Sequence, residues 1–154
     1  MCKAMLFLAM FVLVGPLWAA DPIIGTWKLN VSKSKIRPSN TAPNELTEIY
    51  REIEDGKIEY SREVTHIDGT ANSSKWTFPR QGGVGKRLYP PPNDNLYVDT
   101  LVEPGNWYLT VLVKGVQATV VHKTISKDGK TMTQTLMGLD AQDKPVEFMV
   151  FERQ

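Results

Sequence analysis

Hydrophobic and polar residues alternate along much of the chain with the two-residue period of strands whose two faces meet different surroundings. Trp107, Leu109, Val111 and Val113 share one face, while Tyr108, Thr110, Leu112 and Lys114 occupy the positions between them. Ile58, Tyr60 and Val64 alternate in the same way with Glu59, Ser61, Glu63 and Thr65. Beyond residue 20 no segment sustains the apolar stripe of an amphipathic helix. Asp55-Gly56, Asp68-Gly69 and Asp128-Gly129 are tight-turn dipeptides, and Pro104-Gly105-Asn106 and Lys114-Gly115 do similar work. The segments between these signals predict nine strands, at 24–30, 45–54, 57–67, 72–78, 96–102, 107–113, 116–126, 130–138 and 146–152.

Hairpin following hairpin, with no place for a crossover helix, predicts an all-β fold: an antiparallel up-and-down meander of about 8–9 strands. Closure into a barrel is expected, because it removes the two edges that an open sheet offers to other chains. Two stretches read as loops, 31–44 with Pro38 and Pro43, and 79–95 with Gly82-Gly83, Gly85 and Pro90-Pro91-Pro92. Proline lacks the donor a central strand needs. Either loop is a candidate to flank a cavity mouth or simply to connect strands.

The first residues follow a different pattern. Lys3 precedes an apolar run from Ala4 to Val14, Gly15-Pro16 break the run, and Leu17-Trp18-Ala19 ends on a small residue. This is the layout of a secretory leader over 1–19, with the domain at 20–154. The run is shorter than the roughly 20 apolar residues of a membrane span. Stable membrane insertion is therefore not expected once the leader is removed, and the product is expected to be secreted or periplasmic. Removing the leader takes Cys2, the single cysteine, and Lys3 from a chain with 18 basic and 17 acidic residues. A chain so nearly neutral gives no electrostatic reason to expect nucleic acid as a partner. Without a thiol, packing and backbone pairing must supply the stability.

The mature part opens on Gly25-Thr26-Trp27-Lys28-Leu29-Asn30. This resembles the Gly-x-Trp opening of lipocalins and the similar opening of fatty-acid-binding proteins, two branches of the calycin group of small β-barrels. The resemblance implies that Trp27 begins the first strand and plugs one end of a lipocalin-like barrel, beside Gly25. It further implies that a basic residue of the last strand packs on the indole, here Arg153. The opening with Lys33-Ser34-Lys35, and the closing Asp128-Gly-Lys-Thr-Met-Thr133 with Gly138, Asp140 and Lys144-Pro145-Val146, resemble a set of short, exported, mostly uncharacterised bacterial proteins. There is no match to the second lipocalin motif. The stretch after the first strand is too short for the paired helices of fatty-acid-binding proteins.

Motifs for chemistry are few. The segment 81–87 fails as a phosphate loop, since Arg80 stands where the first glycine is needed and Arg87 where a hydroxyl would hold magnesium. His66 and His122 are the only histidines and lack metal-ligand spacing, so neither metal nor cofactor is expected. No Gly-x-Ser-x-Gly elbow appears, and no enzymatic activity is expected. The glutamates Glu45, Glu48, Glu52, Glu54, Glu59 and Glu63 are expected on a solvated outer face. Arg62 shares a face with Ile58, Tyr60 and Val64, and His122 shares one with Val116, Ala118 and Val120. If those faces point inward, Arg62 and His122 are candidates to anchor the polar end of a ligand, with Tyr60 and Trp76 as apolar wall.

The expected function is non-covalent binding of a small, largely apolar molecule. The alternative is a barrel scaffold that acts on a partner protein through the proline-rich 79–95 stretch. A third reading, an enzyme, requires Arg62 and His122 to converge on one pocket.

Overall fold

The computed structural model describes residues 21–39, 42–90, 95–138 and 145–154. The expected leader at 1–19, and Asp140 and Lys144 of the closing motif, lie outside the described residues. Strand β1 spans Gly25–Leu29, β2 Pro43–Ile53, β3 Lys57–His66 and β4 Ala71–Pro79. Two short strands follow, β5 at Gly83–Val84 and β6 at Lys86–Tyr89. Then come β7 at Asn95–Glu103, β8 at Asn106–Val113, β9 at Val116–Ile125, β10 at Thr131–Gly138 and β11 at Pro145–Arg153.

All 11 strands form one antiparallel sheet in the order β5-β7-β8-β9-β10-β11-β1-β2-β3-β4-β6. The first and last members of that order are neighbours in sequence. The chain pairs with β7 through Gly83 and Val84, passes Gly85, and pairs with β4 through Lys86, Arg87 and Tyr89. The two edges of the sheet thus meet at one residue, and the meander curls into a nearly closed barrel. At Gly85 a Cβ would lie 2.2 Å from the Phe78 ring, so the backbone comes this close only because the side chain is absent.

The count exceeds the expected nine because part of the expected loop, residues 83–89, forms two short strands. These residues still carry the donors that a strand needs, and only the prolines that follow lack them. The 31–44 stretch is also partly ordered by hydrogen bonds. The Asn30 side chain accepts from the Lys33 N–H at 3.1 Å and caps a 3-10 turn at Val31–Lys33, while Lys35 bridges to Phe148. Pro43 opens β2, where a strand tolerates a missing donor. The hairpin turns follow the sequence signals: Asp55 and Gly56 both take positive φ, 65° and 64°.

One end of the barrel is sealed by Trp27, which is 0% exposed. Its indole N–H donates to the Ile23 carbonyl at 2.8 Å, folding the N-terminal segment over the barrel end. Arg153 stands opposite Trp27 in the β1–β11 register and lays its guanidinium 4.5 Å from the indole centroid. The same guanidinium donates to the carbonyls of Pro22, Ile24 and Gly129, joining the N-terminal segment to the β9–β10 turn. Gly25, at φ +147°, leaves room for this group, since a Cβ there would sit 3.0 Å from Arg153 Nη1. Ile23, Ile58, Phe78, Trp107, Met132 and Phe151 complete the apolar packing of the core.

Candidate functional site

Strand pleating aims alternate residues of β2, β3, β4 and β7 at the barrel interior, and five of them, Tyr50, Tyr60, Trp76, Phe78 and Tyr97, are aromatic. Tyr50 stacks on Tyr60 at 4.8 Å, Tyr60 on Trp76 at 5.3 Å, and Trp76 tilts against Tyr97 at 5.2 Å. The first two contacts are direct cross-strand pairs, because Tyr50 faces Tyr60 and Tyr60 faces Trp76 in the register. Arg87, opposite Trp76 on β6, sets its guanidinium 5.7 Å from the indole centroid.

A cavity of about 220 Å³ lies against this aromatic row. Its apolar wall includes Phe78, Tyr97, Leu109, Val121, Leu136 and Met149, beside Tyr60 and Trp76. Its polar wall is Glu48, Arg62, Lys123 and Gln134. Glu48 is 2% exposed and Lys123 is 5% exposed, so both are internal groups that the barrel must compensate.

The compensation is a closed set of hydrogen bonds. Glu48 Oε1 accepts from the Tyr60 hydroxyl at 2.8 Å, and Oε2 accepts from the Tyr50 hydroxyl at 2.7 Å and from Gln134 Nε2 at 2.6 Å. Lys123 Nζ donates to the Tyr50 oxygen at 2.6 Å, lies 3.9 Å from Glu48 Oε2, and stands over the rings of Tyr50 and Tyr60. Burial alone would raise the Glu48 pKa. The charges of Lys123 and Arg62 and the two phenol hydrogen bonds outweigh it and hold the carboxyl below its ordinary value. Both phenols are pushed well above theirs, by burial first and by the neighbouring Glu48 charge second, and remain donors. Asp99, beside Lys123 on the wall of a smaller void, is raised by burial, which Lys123 only partly offsets.

Three of the residues predicted for a ligand site, Tyr60, Arg62 and Trp76, line this cavity together. Arg62 stands directly opposite Glu48 in the β2–β3 register. His122 does not join them, which corrects the expectation from its face. On β9 the interior positions are Val121 and Lys123, and His122 points outward, stacked on Tyr108 at 4.3 Å with Nε2 2.7 Å from Asn106 Oδ1. Shared parity shows which residues lie on one face, but not which face is inside. A bulge between Gln117 and Thr119 also shifts the alternation, so that Val116, paired with Val113, does not share the face of His122. Arg62 and His122 therefore do not converge on one pocket.

The expectation for the glutamates is corrected at one position. Glu48 is internal, and the signal was present, because it shares a strand face with Leu46 and Tyr50 as Arg62 does with Tyr60 and Val64. Lys123, between Val121 and Ile125, and Gln134, between Met132 and Leu136, carry the same signal. Among the described residues no group of three or more His, Cys, Asp or Glu side chains is arranged to hold a metal, and no helix is long and apolar enough to cross a membrane.

No protein-family model matches the chain, and no curated protein does. Among solved structures, a point mutant of the fluorescent protein UnaG superposes with a TM-score of 0.57 at 16% identity, over 86% of this chain and 96% of that one. The two chains share the fold of a β-barrel. Wild-type UnaG gives a TM-score of 0.52, also at 16% identity, over 85% of this chain and 96% of its own. At such low identity the likeness describes the fold alone.

Proposed function

We propose that this protein is an exported calycin-like barrel that binds one small, largely apolar molecule non-covalently, in the cavity walled by Tyr60, Trp76 and Tyr97. The observation that carries the proposal is the cavity itself: about 220 Å³ of space against the aromatic row of the barrel. The cavity opens partly to solvent, and its mainly apolar wall with a few polar groups has the make-up of a small-molecule site. A dry apolar cavity of about 150 Å³ already admits benzene. The space here therefore suits a molecule of one or two rings. Export is supported by Lys3, the apolar run 4–14 and the small residue Ala19.

Native mass spectrometry of protein purified from its own host tests the proposal. A co-purifying small mass is expected, and it should be absent from a Leu109→Trp variant that fills the cavity. A barrel that carries no mass and binds no small aromatic compound would defeat it.

A further inference from the structure

Two buried side-chain polar atoms among the described residues have no hydrogen-bond partner, Trp76 Nε1 and Arg87 Nε. Both are donors. Burying a donor without a partner costs about 1–3 kcal/mol, so a native structure that keeps two such atoms on neighbouring residues calls for an acceptor. Trp76 is 6% exposed and lines the cavity, and Arg87 lies over its ring.

Both oxygens of Glu48, the one carboxylate of the cavity wall, are already engaged. Glu48 accepts from Tyr60 on one oxygen and from Tyr50 and Gln134 on the other, and Lys123 lies beside it. A cationic or donor-rich occupant would have to break that set. An anionic occupant breaks nothing. The wall carries two cations, Arg62 and Lys123, against the single carboxylate of Glu48, and Arg87 adds a third positive group behind Trp76. Arg62 makes no hydrogen bond among the described residues, leaving a planar fork of donors for a carboxylate. The aromatic side chains of Tyr60, Trp76, Phe78 and Tyr97 offer flat surfaces against which a ring stacks.

From this we infer that the occupant is a small aromatic carboxylate, of one or two rings, whose acid oxygens accept from Trp76 Nε1 and from the Arg62 guanidinium while its rings pack on the aromatic row. The inference rests on the ligand-binding reading above and narrows it to one charge and one shape.

Calorimetric titration of the full chain with three compounds of one shape tests it: 2-naphthoate, its neutral carboxamide and the cationic 2-naphthylmethylamine. Naphthoate is expected to bind about tenfold tighter than the carboxamide, the difference made by a charge-assisted hydrogen bond, and the amine not to bind. R62Q and W76F should each weaken naphthoate binding about tenfold, and R62K should recover part of the Arg62 loss. Circular dichroism and thermal melting establish that each variant is folded. If the carboxamide or the amine binds as tightly as naphthoate, or if folded R62Q and W76F both bind naphthoate unchanged, the anion inference is overturned and the cavity reading stands. If none of the three binds, both fall.

Discussion

Glu48 and Lys123 lie 3.9 Å apart inside the barrel and share the Tyr50 hydroxyl, which donates to the carboxylate and accepts from the ammonium. Each charge is tolerable only because the other is present, since an isolated buried ion costs far more than a paired one. Glu48→Gln is therefore expected to destabilise the fold by about 3 kcal/mol, and Lys123→Met by a comparable amount. The double variant should cost much less than the sum of the two. A double-mutant cycle in urea checks this, and strict additivity would show that the two groups are not coupled.

The internal acids titrate in opposite senses. The Glu48 pKa is lowered in the fold, so its stabilising contribution is complete above the range where an unfolded glutamate titrates and is lost as pH falls through the folded value. Asp99 is raised, so the fold binds its proton more tightly than the unfolded chain does. Stability from that site is full in acid and declines as pH rises from the unfolded aspartate range through the folded value. Asp99→Asn is thus expected to raise the melting temperature at neutral pH, with the gain vanishing in acid. Glu48→Gln should lower it at neutral pH, with the loss shrinking in acid. Melting curves across pH separate the two.

Arg153 ties three carbonyls together over the Trp27 ring. Arg153→Ala is expected to cost about 1–3 kcal/mol from the lost cation–π contact and hydrogen bonds. It should also speed amide hydrogen exchange in the N-terminal segment while leaving ligand affinity unchanged. Hydrogen exchange resolved by residue tests this, with faster exchange confined to that end of the barrel.

Gly85 is the point at which the sheet's two edges meet, pressed against Phe78. Gly85→Ala is expected to destabilise by about 1–3 kcal/mol through overpacking, and Phe78→Leu in the same chain should recover part of the loss. Chemical denaturation of the single and double variants measures both.

His122 lies outside the barrel, on Tyr108. His122→Ala should leave binding of any cavity ligand unchanged in calorimetry. A tenfold loss would place the ligand elsewhere.

The sequence alone determined the class of the fold and both ends of the barrel seal. Strand pleating forces a two-residue period on any sheet with unlike faces, and positive-φ turns require residues such as those at Asp55-Gly56, so local chemistry displays both features. Gly25, Trp27 and Arg153 were legible through a resemblance, and Tyr60, Arg62 and Trp76 through parity on adjoining strands. Which face turns inward was not legible on β9, where both sets of positions hold apolar residues, and so His122 was misplaced. The strands at 83–89 were hidden among glycines and prolines, because their pairing depends on β4 and β7 arriving from distant parts of the chain. The Glu48–Lys123 pair shows the limit most clearly: each residue shares a strand face with apolar neighbours, but nothing in either strand names its partner. Only closure of the sheet, which brings positions 48 and 123 together away from water, turns them into an internal ion pair beside a cavity.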